Sequence, residues 1–403
     1  MTILVLNCGS SSIKYQIIEM RSEGDYDLLV KGIVERIGLD EGLLKHEPTG
    51  KPKYEFSAPI PDHTVGIKLI LDALTDPSHG IIKSISEIDA VGHRVAHGGE
   101  FFTDSAIIDR KVIENIETCS ELAPLHNPAN LKGIYAIGKV LPHTPQVAVF
   151  DTSFHQTVPP KNYMYALPYR YYENHRIRSY GFHGTSHKYV AGKACEMTGL
   201  DFDSSKIVSC HLGGGSSAAA IVNGKSFATS MGFTPVDGLI MGTRCGSVDP
   251  GALVYMVEKE NLSMPQLSGI INRESGVFGV SGISSDMRDI NAAIAEGNQR
   301  AILAMDMFNA RIRKFVGGFA AMMEGLDLII FTGGVGENDY VVRKEVCKGL
   351  EFMGVVFDHE ANDGSRGEDK ILTKPGSRVK VVAVATNEEL VIAGDTFRLT
   401  EKS

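Results

Sequence analysis

Two arginines stand among glycines in this 403-residue chain. Arg94 lies in the stretch 91–100, VGHRVAHGGE, and Arg244 in 241–246, MGTRCG. A guanidinium fork matches the oxygens of phosphate or carboxylate, and small neighbours leave room for a ligand. A surface salt bridge is the ordinary alternative for each. Three Gly/Ser/Asn segments follow apolar runs: NCGSSS at 7–12, HLGGGSS at 211–217 and TGGVGEN at 332–338. Backbone N–H groups approach phosphate closely where no Cβ intervenes, and short hydroxyls add donors. The third segment, read as a loop, runs into a helix start at Asp339 and Tyr340, whose amides would favour an anion. Asp151 and Glu388 each follow an apolar run, at the strand ends where α/β proteins place catalytic acids. A carboxylate and an amide at converging strand ends suit Mg²⁺, which takes few protein oxygens. His183 and His126 read as donors to a charged ligand. The pairs His93/His97 and His183/His187 have zinc-like i, i+4 spacing, but the first is strand-like and the second contains glycine without a catalytic Glu.

These residues need elements to hold them. Residues 3–6 form an apolar run, and 11–18 alternate, with Ile13, Tyr15 and Ile17 on one face and Lys14 and Gln16 on the other. Strand periodicity on both sides makes the first Gly/Ser segment a hairpin tip. Residues 206–212, the second segment and 218–222 repeat the unit some 200 residues later, before an Asn223-Gly224 turn. That echo suggests a duplication with one related domain in each half. Ile302, Met305, Phe308, Ile312, Phe315, Phe319 and Met322 recur at helical steps, closed by Gly325, and 326–331 follows as a buried strand. Lys14 continues an alternating strand and GxxxxGK[ST] is absent, so this is no P-loop. A phosphate-binding hairpin present twice points to an α/β, duplicated actin-like (ribonuclease H-like) ATPase fold. Two domains are expected, 1–150 plus 386–403 and 151–385, with nucleotide in the cleft between them.

Composition narrows the class. Lys plus Arg number 40 and Asp plus Glu 49, a net charge of −9, and no basic block suggests a nucleic-acid partner. No apolar run is long enough to span a membrane, and the N-terminal residues do not resemble a signal peptide. The six scattered cysteines form no CxxC pair, so the expectation is a cytoplasmic protein with reduced thiols. Glycine is in excess, 43 against roughly 28 at an average of about 7%. Twelve of these lie in the five segments quoted above.

The sequence resembles the acetate kinase family of acyl-phosphate-forming kinases over essentially its whole length. LNCGSSSIKY, GHRVAHGGE, APLHNPAN, VAVFDTSFHQT, YGFHGTSH, SMGFTP, GVGEN and ATNEEL occur in the family's order. The resemblance implies that Asn7 and Glu388 hold Mg²⁺, with Mn²⁺ able to substitute, and that Ser10, Ser12 and Lys14 lie near the nucleotide phosphates. His211, Leu212, Gly213, Gly214, Gly215, Asp286, Met287, Arg288, Gly334, Val335, Gly336, Glu337 and Asn338 would contact ATP or ADP. Arg94 would bind the substrate carboxylate and, with Arg244 and His183, stabilise the transferring phosphoryl group. Asp151 would be the catalytic carboxylate, and Ala96, Leu125, His126, Phe182 and Pro235 would line the acyl site. Acetate or propionate, the acyl phosphate and a second copy of the chain are the implied partners.

A carboxylate is already ionised near pH 7 and needs no general base. Catalysis is then positioning and charge neutralisation around an in-line, metaphosphate-like transition state, with Asp151 an organiser rather than a proton acceptor. Four positions depart from the family pattern: Gly214 for Asn, Ala228 for an acid, Cys245 for Ser and Ser247 for an acid. The acids are expected to support the nucleotide side and Arg244. Ala96 stands where acetate kinases commonly have Val, leaving space for about one more carbon, worth roughly 1–3 kcal/mol if a methylene fills it.

Overall fold

In the computed structural model every residue is described except Glu23, Leu125, Lys402 and Ser403. The alternation at 11–18 does form a hairpin: β1 (Thr2–Cys8) pairs antiparallel with β2 (Ser12–Ser22), placing Asn7 opposite Lys14. Ile13, Tyr15 and Ile17 are buried and Lys14 is exposed, so one face of β2 enters the core.

The chain divides into two compact units, Met1–Ser153 with Asn387–Ser403, and Phe154–Thr386. The first unit continues with β3 (Asp25–Glu35), β4 (Gly42–Pro48), β5 (Tyr54–Ala58), β6 (Ala90–Val95), β7 (Ala106–Ile107) and β8 (Gln146–Phe150). Its sheet runs β5-β4-β3-β2-β1-β6-β8-β7. The second unit holds β9 (Lys206–Leu212), β10 (Ser216–Val222), β11 (Lys225–Thr229), β12 (Leu328–Thr332), β13 (Lys370–Ile371) and β14 (Lys380–Ala383), ordered β11-β10-β9-β12-β14-β13. The runs β3-β2-β1 and β11-β10-β9 are each antiparallel and each is followed by two parallel strands and a short antiparallel edge strand, the first sheet adding β4 and β5 beyond β3. The duplication, a faint echo in sequence, is explicit in topology.

Helices cover the sheets. In the first unit Glu388–Thr400 seats its Ile392 and Thr396 over Gly92, where a Cβ would lie 2.6 Å from Ile392 Cγ2 and 2.5 Å from Thr396 Oγ1. Only glycine lets this helix lie so close to β6. In the second unit Gln299–Met322 buries Ala301, Ala304, Met305, Phe308, Ile312, Val316, Phe319 and Ala320. The apolar stripe is thus rotated from the expected one: alanines complete its inner face and Met322 is 44% exposed. Gly325 does close it, at φ +147, its N–H donating to Ala320 O.

His93, buried in β6 against Gln146 (Nε2···Oε1 2.8 Å), has its pKa pushed down to about 4 by desolvation. An unfolded histidine takes its proton near pH 6.5, so between pH 6.5 and 4 the unfolded chain binds more protons and stability falls with pH. This one group predicts a loss of roughly 2 kcal/mol from pH 7 to pH 5. Urea midpoints at the two pH values, compared between the parent and His93→Gln, measure it; an equal drop in both would refute the assignment.

Candidate active site

The first unit gathers its candidate side chains at the C-terminal ends of three adjacent parallel strands. Asn7 is near the end of β1, Arg94 is in β6, and Asp151 follows β8. The register Leu6↔His93 and Arg94↔Val149 brings them side by side. Arg94 donates from Nε to Asp151 Oδ1 at 2.9 Å, from Nη2 to Asp151 Oδ2 at 2.5 Å, and from Nη1 to Asn7 Oδ1 at 3.2 Å. The fork is bidentate and both Asp151 oxygens are engaged. Asp151 is buried and its charge holds the Arg94 pKa above the ordinary range against desolvation. Glu388 Oε2 lies 3.9 Å from Arg94 Nε. Burial pushes the Glu388 carboxyl up to about 7, Arg94 opposing and Asp151 adding to the rise.

A motif read only as a resemblance supplies unsuspected scaffolding here. Asn127 and Asn130, on the helix Asn127–Val140, are buried. Asn130 accepts from Ala96 N–H at 3.0 Å and donates to Cys8 O at 2.7 Å, while Asn127 accepts from His97 N–H and donates to His97 O. Asn130 thus ties the turn after Arg94 to the end of β1, and Asn127 holds His97 in that turn. Periodicity could not find them, because their partners are backbone atoms distant in sequence. Ala96 is buried, His126 stands just before that helix with its N–H donating to Ala123 O, and Leu125 lies outside the described residues. Gly9 N–H donates to Ser12 O across the hairpin tip, with Ser10 exposed.

The second unit builds a counterpart at the ends of β9, β12 and β14. His211 pairs in register with Thr332, and Gly213 and Gly333 follow them. Gly333, at φ +77, packs so tightly on β9 that a Cβ would lie 2.7 Å from Leu212 O. A Cβ at Gly215 would lie 3.4 Å from Arg244 Nη1 and 3.5 Å from His183 Cε1, so this turn adjoins both. Gly214 has nothing within 4 Å of such a Cβ and lines a cavity of about 1060 Å³ with Asp286, Met287, Arg288, Gly334, Val335 and Asn338. Asp286 and Arg288 pair at 2.5 Å at this wall.

His183, at φ +57, precedes the helix Gly184–Thr198. Its ring stacks on His211 at 4.2 Å, and Ser217 Oγ lies 3.0 Å from its Nδ1 and 2.8 Å from His187 Nε2. Phe182 is buried with Met231 and Met241. Arg244 differs from Arg94. Its Nη1 contacts are Pro235 O at 3.4 Å and Met241 Sδ at 3.8 Å, and among the described residues no carboxylate reaches salt-bridge distance. Desolvation lowers its pKa.

Three expectations need correction. The third glycine segment is not a loop but a short helix, Gly333–Asn338, because Gly333 starts the turn directly at the strand end. At the start of the following helix, Tyr340–Cys347, a carboxylate already takes two of the amides: Asp339 accepts from Val341 and Val342 N–H at 3.1 Å each. Ala228 is in the core, paired with Ala220 in β10, so an acid there would enter apolar packing rather than support the nucleotide side. Ser247 Oγ donates to Asp237 Oδ1 at 2.7 Å, and Cys245 sits beside Gly246 O.

Residues 2–394 match the acetokinase family. An acetate kinase of Parabacteroides distasonis is 52% identical over 402 residues, covering 100% of each chain. The crystal structure of Porphyromonas gingivalis acetate kinase matches with TM-score 0.95 at 52% identity, covering 99% of each chain. That of a propionate kinase from Francisella tularensis matches with TM-score 0.90 at 38% identity, covering 98% of this chain and 99% of the other. Strand order and these likenesses define the class, a phosphotransferase of the actin-like ATPase fold with a carboxyl group as acceptor. The chain belongs to the acetate kinase family, and its reaction is reversible phosphoryl transfer between ATP and a short-chain carboxylate.

Proposed function

We propose that acetate is the principal acceptor and that Arg94, Arg244 and His183 neutralise the transferring phosphoryl group during direct in-line transfer. One observation carries this reading: Arg94 is locked by Asp151 at a strand-end cluster, whereas Arg244 keeps its charge without a carboxylate. Asp151 organises Arg94, since both its oxygens already accept from that guanidinium. Asn7 and Glu388 would hold Mg²⁺ or Mn²⁺, an amide and a carboxylate being the hard oxygen donors such an ion takes. The raised pKa of half-buried Glu388 fits a group that a cation would return to its charged form. When bound, the ion offsets charge on the phosphate oxygens. The cavity beside Gly214, with Met287 and Val335 on its wall, suits the nucleotide. Trapping of acetyl phosphate as its hydroxamate, from ATP, acetate and Mg²⁺, tests the reaction; no acyl phosphate from acetate, propionate or butyrate would sink it.

Propionate is expected to be used appreciably, through the volume left by Ala96. Ala96→Val should lower the propionate/acetate ratio of kcat/KM about tenfold, within what one methylene is worth. An unchanged ratio would show that Ala96 does not set acyl size.

A second copy of the chain is the proposed partner. The helices Pro250–Glu260 and Met264–Arg273 bury none of their residues, and Val254, Tyr255 and Met264 are each more than half exposed. Apolar surface of that kind is characteristic of an interface. Light scattering should give about twice 43.6 kDa, and Val254→Asp with Tyr255→Glu should halve it. A parent chain that scatters as a monomer would remove the proposal. Six free cysteines and use of ATP fit a cytoplasmic enzyme. Among the described residues no helix is long and apolar enough to cross a membrane.

A further inference from the structure

Beyond β14 the chain runs through Ala385 and Thr386, the last residues of the second unit. Two carboxylates hold their amides. Asp369 Oδ1 accepts from Ala385 N–H at 2.9 Å, and Glu337 Oε1 accepts from Thr386 N–H at 3.0 Å. The same Glu337 oxygen accepts from Gly333 N–H at 2.9 Å and from the Thr332 hydroxyl at 3.3 Å. Thr386 is thereby tied to the start of the Gly333–Asn338 helix.

Its side chain reaches elsewhere. Thr386 Oγ1 lies 2.8 Å from Ser186 Oγ, and Ser186 Oγ lies 2.8 Å from His211 Nδ1. Ser186 is fully buried, and the His211 ring stacks at 4.2 Å on His183. A serine hydroxyl carries one proton, so it donates to one of these neighbours and accepts from the other. If Thr386 donates to Ser186, Ser186 donates to His211 Nδ1, and the neutral imidazole must carry its proton on Nε2. Without the Thr386 hydroxyl nothing in this chain of contacts obliges Ser186 to point its proton at His211.

We propose that Thr386 is a positioning residue whose hydroxyl, through Ser186, holds His211 as the Nε2–H tautomer and so fixes the orientation of the stacked His183. Amide and hydroxyl of this one residue then link the Gly333 helix to the histidine pair. The kinetic consequence rests on the acetate kinase reading; the tautomer does not.

Thr386→Val removes the hydroxyl at nearly constant shape, Thr386→Ser keeps it, and Ser186→Ala removes the relay. The expected kcat is at least tenfold lower in Thr386→Val and in Ser186→Ala, no lower again in the double variant, and within threefold of the parent in Thr386→Ser. KM for acetate should stay within twofold, a split that general structural damage would not give. Spectra of the ¹⁵N-histidine-labelled chain, with His211 assigned through His211→Gln, should show the Nε2–H pattern in the parent and in Thr386→Ser. Thr386→Val should show a mixture. A parent-like kcat in Thr386→Val, an equal loss in Thr386→Ser, or an unchanged His211 tautomer in Thr386→Val and Ser186→Ala would overturn the inference. Failure of the parent to make acetyl phosphate would instead overturn the reaction reading, with the spectra still deciding the tautomer.

Discussion

Arg94→Ala should lower kcat/KM for acetate by three orders of magnitude or more and should also lower the melting temperature. The two effects have different origins. A thousandfold loss corresponds to about 4 kcal/mol of transition-state stabilisation, the scale of removing a preorganised cation from a site where charge is spread over phosphoryl oxygens. The stability loss comes from Asp151. That carboxylate is buried, and its charge is balanced by the bidentate fork at 2.9 and 2.5 Å. Removing Arg94 leaves it uncompensated near Glu388, whose own carboxyl already feels Asp151. Breaking one side of such a buried pair costs about 3–5 kcal/mol, whereas removing both sides is far milder. Adding Asp151→Ala to Arg94→Ala should therefore recover much of the melting temperature and none of the activity. Recovery of activity would mean that Arg94 serves only to balance Asp151. A melting temperature indifferent to both variants would mean that the pair is not formed.

The parts of this molecule that sequence exposes are those with a short-range period. Alternation at Ile13, Tyr15 and Ile17 fixes the face of β2, and the step of three and four from Met305 to Phe319 fixes the long helix. The stripe was misplaced by one edge because Ala301, Ala304 and Ala320, too small to mark a core position in a pattern, are what Gln299–Met322 buries there. The third glycine segment misleads for a related reason. Glycines of low helix propensity argue for a loop, yet Gly333 at φ +77 is needed only to enter the turn, and Glu337 then accepts its amide proton from within the same helix. Arg94, Arg244 and His183 stand out as charged or polar types near glycine, and Asp151 as an acid that closes an apolar run. Asn127, Asn130, Ser186 and Thr386 were not. Their partners are Cys8 O, His97, His211 and Glu337, and long-range contacts to backbone or to single atoms leave no mark on periodicity.

Arg244→Ala should be the reverse of Arg94→Ala in stability while resembling it in rate. A fall of two to three orders of magnitude in kcat is expected, about 3–4 kcal/mol, for losing one charge in the proposed role of neutralising the phosphoryl group. No carboxylate among the described residues compensates Arg244, and its guanidinium meets only a carbonyl at 3.4 Å and a thioether at 3.8 Å. Desolvation lowers its pKa, so folding holds this cation at a cost that no carboxylate among the described residues repays. Truncation relieves that cost, and the melting temperature should hold or rise. For the same reason an anion in the site should stabilise the parent, raising its melting temperature with inorganic phosphate and ATP, while Arg244→Ala responds less. Arg244→Lys keeps the charge but not the planar fork, and a loss of at least tenfold should remain. The decisive comparison is the sign of the stability change in the two alanine variants. If Arg244→Ala melts several degrees below the parent, as Arg94→Ala should, Arg244 is part of the scaffold and its charge is not being kept for a ligand.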